Sequence, residues 1–118
     1  MSTNEKNTDQ IEVLDSAIVC LLKALSNERR INILWALRNG ELCVSDLEKQ
    51  INLSQSALSQ HLARLRSSNL VKTRRDAQNI YYAISEDCIK DVLHYLHDVC
   101  TNGRLGNICG NDVPADAE

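Results

Sequence analysis

Phenylalanine is absent from this 118-residue chain, and one tryptophan and three tyrosines are its only aromatic residues. A surface that stacks successive unpaired bases needs more aromatic faces than that, so single-stranded nucleic acid is a poor match. No apolar run approaches the ~20 residues needed to cross a bilayer. The opening MSTNEKNTDQ is polar and lacks the apolar stretch of a secretory signal. The expectation is a cytoplasmic protein with no membrane partner. The five cysteines (Cys20, Cys43, Cys88, Cys100, Cys109) are odd in number, widely spaced and never form CxxC. They do not make a secreted disulfide framework, which leaves packing, metal ligation or redox chemistry. There is also no glycine-rich phosphate loop, no GxSxG and no pair of carboxylates marking a cleft. Cys43 with His61 or His94 would lack a third, orienting group. No enzyme and no cofactor are expected.

The most informative absence is local. From Ser54 to Arg75 there is no Asp or Glu, yet the segment holds five cations: Arg64, Arg66, Lys72, Arg74 and Arg75. The rest of the chain carries 8 basic against 16 acidic residues. A concentrated positive field on an acidic body suits a polyanion met at one surface. The cations are interleaved with Ser, Gln, His and Asn, side chains able to read base edges, which favours duplex DNA over a merely solvated helix face.

Hydrophobic spacing divides the chain into short helices and a hairpin. Residues 1–8 and 111–118 read as disordered tails flanking one domain over 9–110, and the second tail holds the only proline, Pro114. Ile11, Leu14, Ile18, Leu21, Leu22 and Leu25 recur at helical intervals, giving a first helix over 9–25. Ser26 or Asn27 is placed to cap a second, which Asn39-Gly40 ends. Ser45-Asp46-Leu47-Glu48 has the form of a capping box, opening a third helix to about Asn52. Ser54 caps a fourth over Gln55–Ser67, with Ala57, Leu58, Leu62 and Leu65 inward. Two short helices joined tightly over 45–67 make a helix-turn-helix. After Asn69 the period shortens to two, giving strands at 70–74 and 80–84 and a polar hairpin link: a wing over 70–84. Ser85 then caps a last helix over 86–102 bearing Ile89, Val92, Leu93, Leu96 and Val99. The class is mainly α with a β-hairpin wing, a winged helix-turn-helix.

KALSNERRINILWAL (Lys23–Leu37), GELCVSDL (Gly40–Leu47), LSQSALSQHLARLRSSNLV (Leu53–Val71) and IYYAI (Ile80–Ile84), taken in this order, resemble the ArsR/SmtB family of small winged-helix repressors. The resemblance covers about residues 17–100. It implies a homodimer paired through the first and last helices, and release from operator DNA on meeting an inducer. Two recognition helices related by a two-fold axis fit successive major grooves about 34–36 Å apart, hence an imperfect palindrome in double-stranded DNA. Gln55, Ser56, Ser59, Gln60 and His61 are expected at base edges and phosphates, with Gln60 suited to a bidentate adenine contact. His61 could equally pack against a neighbouring helix. Arg64, Arg66, Lys72, Arg74 and Arg75 are expected to position the phosphate backbone.

The inducer is narrowed by departures from family patterns. Arsenic-sensing members resemble ELCVCDL, whereas this chain has Ser45 at the second cysteine, and a hydroxyl is a poor ligand for a soft ion. His94 and His97 resemble half of a zinc site on the last helix, but Tyr81 and Ala83 stand about where its Asp-x-His partner would lie. An ordinary polar face or an interface hydrogen bond is the simpler role, so no metal site is expected. Cys20 and Cys88 are expected to pack. Cys43 together with Cys109, in the glycine-flanked segment Gly106–Gly110, is similar to the SqrR/BigR-type persulfide-sensing repressors, which implies a reactive-sulfur inducer and a switch in which the two thiols become linked. The chemistry is self-consistent: one thiolate attacks a persulfide donor and a resolving thiol traps the adduct. Two alternatives stay open. One is a thiophilic metal(loid) site, arsenite included, from Cys43, Cys100 and Cys109. The other is a general redox regulator, or an anti-silencing activator as in the similar haemolysin-regulator branch.

Overall fold

Capping side chains and buried leucines set the frame of this computed structural model, which describes residues 15–103. Asp15 accepts from the Ala17 amide at 2.7 Å and opens α1, Ser16–Leu25. Asn27 accepts from the amides of Arg29 and Arg30, at 2.9 and 3.1 Å, and opens α2, Glu28–Ala36. These bonds satisfy helix-start amides that have no partner inside the helix. A 3-10 turn, Leu37–Asn39, ends at Gly40, whose φ of 145° is a conformation that suits glycine. Then come β1 (Leu42–Cys43), α3 (Val44–Gln50), α4 (Gln55–Ser67), β2 (Val71–Asp76), β3 (Asn79–Ile84) and α5 (Asp87–Thr101).

The core is aliphatic. Ile33, Leu34, Leu37, Leu47, Leu58, Leu62 and Leu65 are fully enclosed, and Ile84, Ile89 and Leu93 seal the side nearest the wing and α5. The three strands form an antiparallel sheet in the order β1-β3-β2. In register, Val71 faces Ile84, Thr73 faces Tyr82 and Arg74 faces Tyr81, while Cys43 faces Tyr81 from the other edge.

The expected winged helix-turn-helix is therefore the observed fold, with six corrections. The first helix starts at Ser16, behind the non-helical Asp15 cap, rather than at residue 9. The capping box at Ser45 does not form. Cys43 takes the N-cap position, with Ser45 inside the first turn, because the preceding chain is held extended as a strand. The third helix stops at Gln50 rather than Asn52, where Ile51 turns extended. The last helix starts after Glu86, whose side chain makes no capping bond; the Ser85 hydroxyl instead donates to the Asn69 carbonyl at 2.7 Å. The hairpin link is a two-residue turn, Ala77-Gln78, rather than five residues. Finally, Cys20 and Cys88 are exposed in the single chain rather than packed.

Candidate nucleic-acid interface

α4 is amphipathic by construction. Ser54 accepts from the Ala57 amide at 3.2 Å and starts the helix cleanly. Leu58, Leu62 and Leu65 recur at i, i+4 and i+7 and are buried, so the opposite face must be open. Gln55, Ser56, Ser59 and Gln60 are exposed there, at the helix start, and Arg64 and Arg66 are exposed in its last turns. Cations at that end also meet the negative pole of the helix dipole. The helix stops in a Schellman motif: the Leu70 amide donates to Leu65, and the Asn69 amide to Arg66, both at 3.0 Å. Asn69 supplies the left-handed residue, φ 62°.

His61 lies half-buried in a cleft with Arg30, Gln60, Ala63, Arg64 and Ser67. Burial, and then the charges of Arg30, Arg29 and Arg64, push its pKa below the ordinary 6.5. The cleft thus disfavours the charged imidazole beside Arg30 and Arg64, between the two roles that the sequence leaves open.

The wing places its cations on two sides. Register puts Val71, Thr73 and Arg75 on the face shared with Ile84, Tyr82 and Ile80. Tyr82 packs on the core, and Ile80 lines a cleft with Val44, Ser45 and Gln55, so this face looks toward the helix-turn-helix. Lys72 and Arg74 lie on the other face. Arg74 is not free: its Nε donates to Glu41 Oε1 at 3.1 Å and its Nη2 to Glu41 Oε2. Its Nη1 lies 3.9 Å from Asp76 Oδ2, and its guanidinium carbon stands 4.6 Å from the centre of the Tyr81 ring. The Arg74 hydrogen bond holds the Glu41 carboxyl below its usual range. Glu41 was not visible as a partner in the sequence, because two-residue β1 is too short to show an alternating pattern.

Cys43 is half-buried at the N-cap of α3. Its Sγ donates to Asp46 Oδ2 at 3.2 Å and lies 3.1 Å from Ser45 Oγ. Cys43, Cys20, Cys88 and Cys100 are free thiols. Cys109 lies outside the described residues, so its pairing with Cys43 rests on the sequence. Among the described residues no cluster of three or more His, Cys, Asp or Glu is arranged to hold a metal ion. His94 and His97 sit instead beside the half-buried Trp35 ring, their centroids 5.2 and 4.7 Å away. No helix among the described residues is long and apolar enough to cross a membrane.

An exposed polar helix backed by leucines, with a basic hairpin beside it, defines a winged helix-turn-helix DNA-binding module. Residues 27–73 match the model for bacterial regulatory proteins of the arsR family. The transcriptional activator HlyU of Vibrio cholerae is 46% identical over 91 residues, covering 77% of this chain and 84% of that protein. The nodulation protein NolR of Rhizobium meliloti is 45% identical over 97 residues, or 82% and 72% of the two chains. Among solved structures, the transcriptional repressor BigR of Xylella fastidiosa superposes with a TM-score of 0.68 at 36% identity, covering 71% of this chain and 86% of that one. A homodimeric winged helix-turn-helix DNA-binding domain from Mycobacterium bovis gives 0.67 at 28% identity, covering 77% and 83%. The chain belongs to the arsR family, and it is a transcription regulator rather than an enzyme.

Proposed function

We propose that this chain is a homodimeric repressor that holds palindromic operator DNA while its thiols are reduced, and lets go when reactive sulfur joins Cys43 to Cys109. The observation that carries the DNA half is the α4 surface. Gln55, Ser56, Ser59 and Gln60 stand exposed opposite three buried leucines, where a major groove would meet them. Arg64, Arg66 and Arg75 are exposed around them and suit phosphate contacts, while Lys72 is exposed on the other wing face, where only a phosphate reached from that side would meet it. Dimerisation is supported by apolar surface left bare on the terminal helices. Ile18, Val19 and Leu22 of α1 and Val92, Tyr95 and Leu96 of α5 are exposed, Leu22 to 54% and Tyr95 to 66%. Bare aliphatic surface of this kind marks an interface. The homodimeric Mycobacterium bovis domain is consistent with it.

The sensing half is supported by Cys43 itself. It joins β1 to α3, so a bond formed at its sulfur pulls on both the sheet that carries the wing and the first helix of the helix-turn-helix. A thiolate attacks the outer sulfur of a persulfide donor and expels the donor's thiolate. The second cysteine then displaces hydrogen sulfide, or is joined through the added sulfur once an oxidant such as polysulfide removes two electrons. The opposite sign of regulation, activation by displacing another repressor, is favoured by one observation: HlyU is a transcriptional activator.

The test is to treat the reduced protein separately with a sulfane sulfur donor, glutathione disulfide, peroxide and arsenite, then measure intact mass and operator affinity. Sulfur-mass additions linking Cys43 to Cys109, with DNA release only after the first reagent, support the reading. Release by arsenite alone, or equally by every oxidant, overturns it.

A further inference from the structure

Arg74 was expected to grip phosphate, yet its surroundings fit a different task. Two of its nitrogens are committed to one carboxylate and the third approaches a second, so its charge is already answered within the protein. Its guanidinium carbon stands 4.6 Å from the Tyr81 ring centre, and Tyr81 is also the cross-strand neighbour of Cys43. Glu41 immediately precedes β1, so the Glu41–Arg74 fork reaches across the central strand β3 and ties the β1 edge to β2. Arg74 lies on the hairpin face opposite the one that looks toward the helix-turn-helix, whereas adjacent Arg75 lies on the inner face.

We propose that Arg74 and Glu41 are a positioning pair for DNA binding: a latch that fixes the wing against the β1 segment bearing Cys43, rather than a phosphate contact and a bystander. The inference deepens the DNA-binding reading and rests on it. The latch depends on fork geometry, since only guanidinium offers two parallel donors to a carboxylate while its plane covers an aromatic ring. Lysine keeps the charge and loses the fork. A phosphate contact behaves in the opposite way: it tolerates lysine, and its loss lowers the salt dependence of binding by about one unit per contact.

The experiment measures operator affinity from low to high salt for the intact protein and for Arg74→Ala, Arg74→Lys, Arg75→Ala and the double variant Arg74→Ala/Glu41→Ala. Amide exchange across the β1–β3 ladder is followed without DNA. The latch predicts that Arg74→Ala and Arg74→Lys weaken binding alike, by about fivefold, with the salt slope unchanged. It also predicts that the double variant is no worse than Arg74→Ala, and that ladder exchange speeds up in both Arg74 single variants. A slope lowered by about one per subunit in Arg74→Ala, wild-type affinity in Arg74→Lys, or unchanged ladder exchange overturns it. Arg75→Ala separates the two readings: its slope should fall whatever Arg74 does. If the intact protein shows no salt-dependent binding, the DNA reading fails, while ladder exchange still decides the latch.

Discussion

The imidazole of His97 stacks on the indole of Trp35, with ring centroids 4.7 Å apart and planes inclined by 23°. His94 meets the same indole edge-on, and Arg38 stands 4.2 Å from its centre. The paired histidines of α5, at i and i+3, thus both meet one α2 side chain. Because Trp35 is the only tryptophan, its fluorescence reports the contact directly. His97→Ala should change that emission and lower unfolding stability by about 1 kcal/mol, measured by denaturant titration. Unchanged emission would show that the stack is not formed in solution.

The wing turn holds a second prediction. Ala77 sits at φ 58° in a two-residue hairpin loop, a conformation that costs a side-chain-bearing residue about 1–2 kcal/mol and costs glycine little. Ala77→Gly should therefore raise the melting temperature, although glycine also frees the unfolded chain. Asn69 occupies the same region at the end of α4, where its short polar side chain is tolerated. Asn69→Val should destabilise by about 2 kcal/mol; Asn69→Gly should be near neutral.

His61 gives the pH dependence. Its folded pKa lies below the unfolded value, so the folded protein binds fewer protons through that window. Its contribution to stability is complete above about pH 6.5 and is lost as pH falls through the depressed folded value. An NMR titration should place the His61 midpoint below that of an exposed histidine, and His61→Gln should flatten the acid side of the stability profile. DNA phosphates nearby should move the midpoint back up, so adding operator to the sample should shift the titration to higher pH. A midpoint insensitive to DNA would remove His61 from the interface.

Much of the fold was legible because the signals were local and strong. α4 was bounded correctly by Ser54 and by its three leucines, and both wing strands were marked by the change of period after Asn69. The errors fell where tertiary pairing overrode local chemistry. Ser45 carries a good capping pattern, but Leu42 and Cys43 are drawn into the sheet opposite Tyr82 and Tyr81, which moves the helix start back to Cys43. Ser85 has cap chemistry too, but its hydroxyl finds Asn69 sixteen residues away. At the candidate site, the exposed polar face of α4 followed from periodicity alone. The Glu41–Arg74 fork spans 33 residues of sequence, and no spacing rule reveals such a pair.

Operator affinity as a function of salt, for the reduced protein and for a variant carrying Arg64→Gln, Arg66→Gln and Arg75→Gln, tests the central claim most directly. If these three cations meet phosphate, the logarithmic slope should fall by about three units per subunit, and affinity at low salt should drop by orders of magnitude. An unchanged slope, with the variant still folded, would contradict the assignment of this surface to DNA.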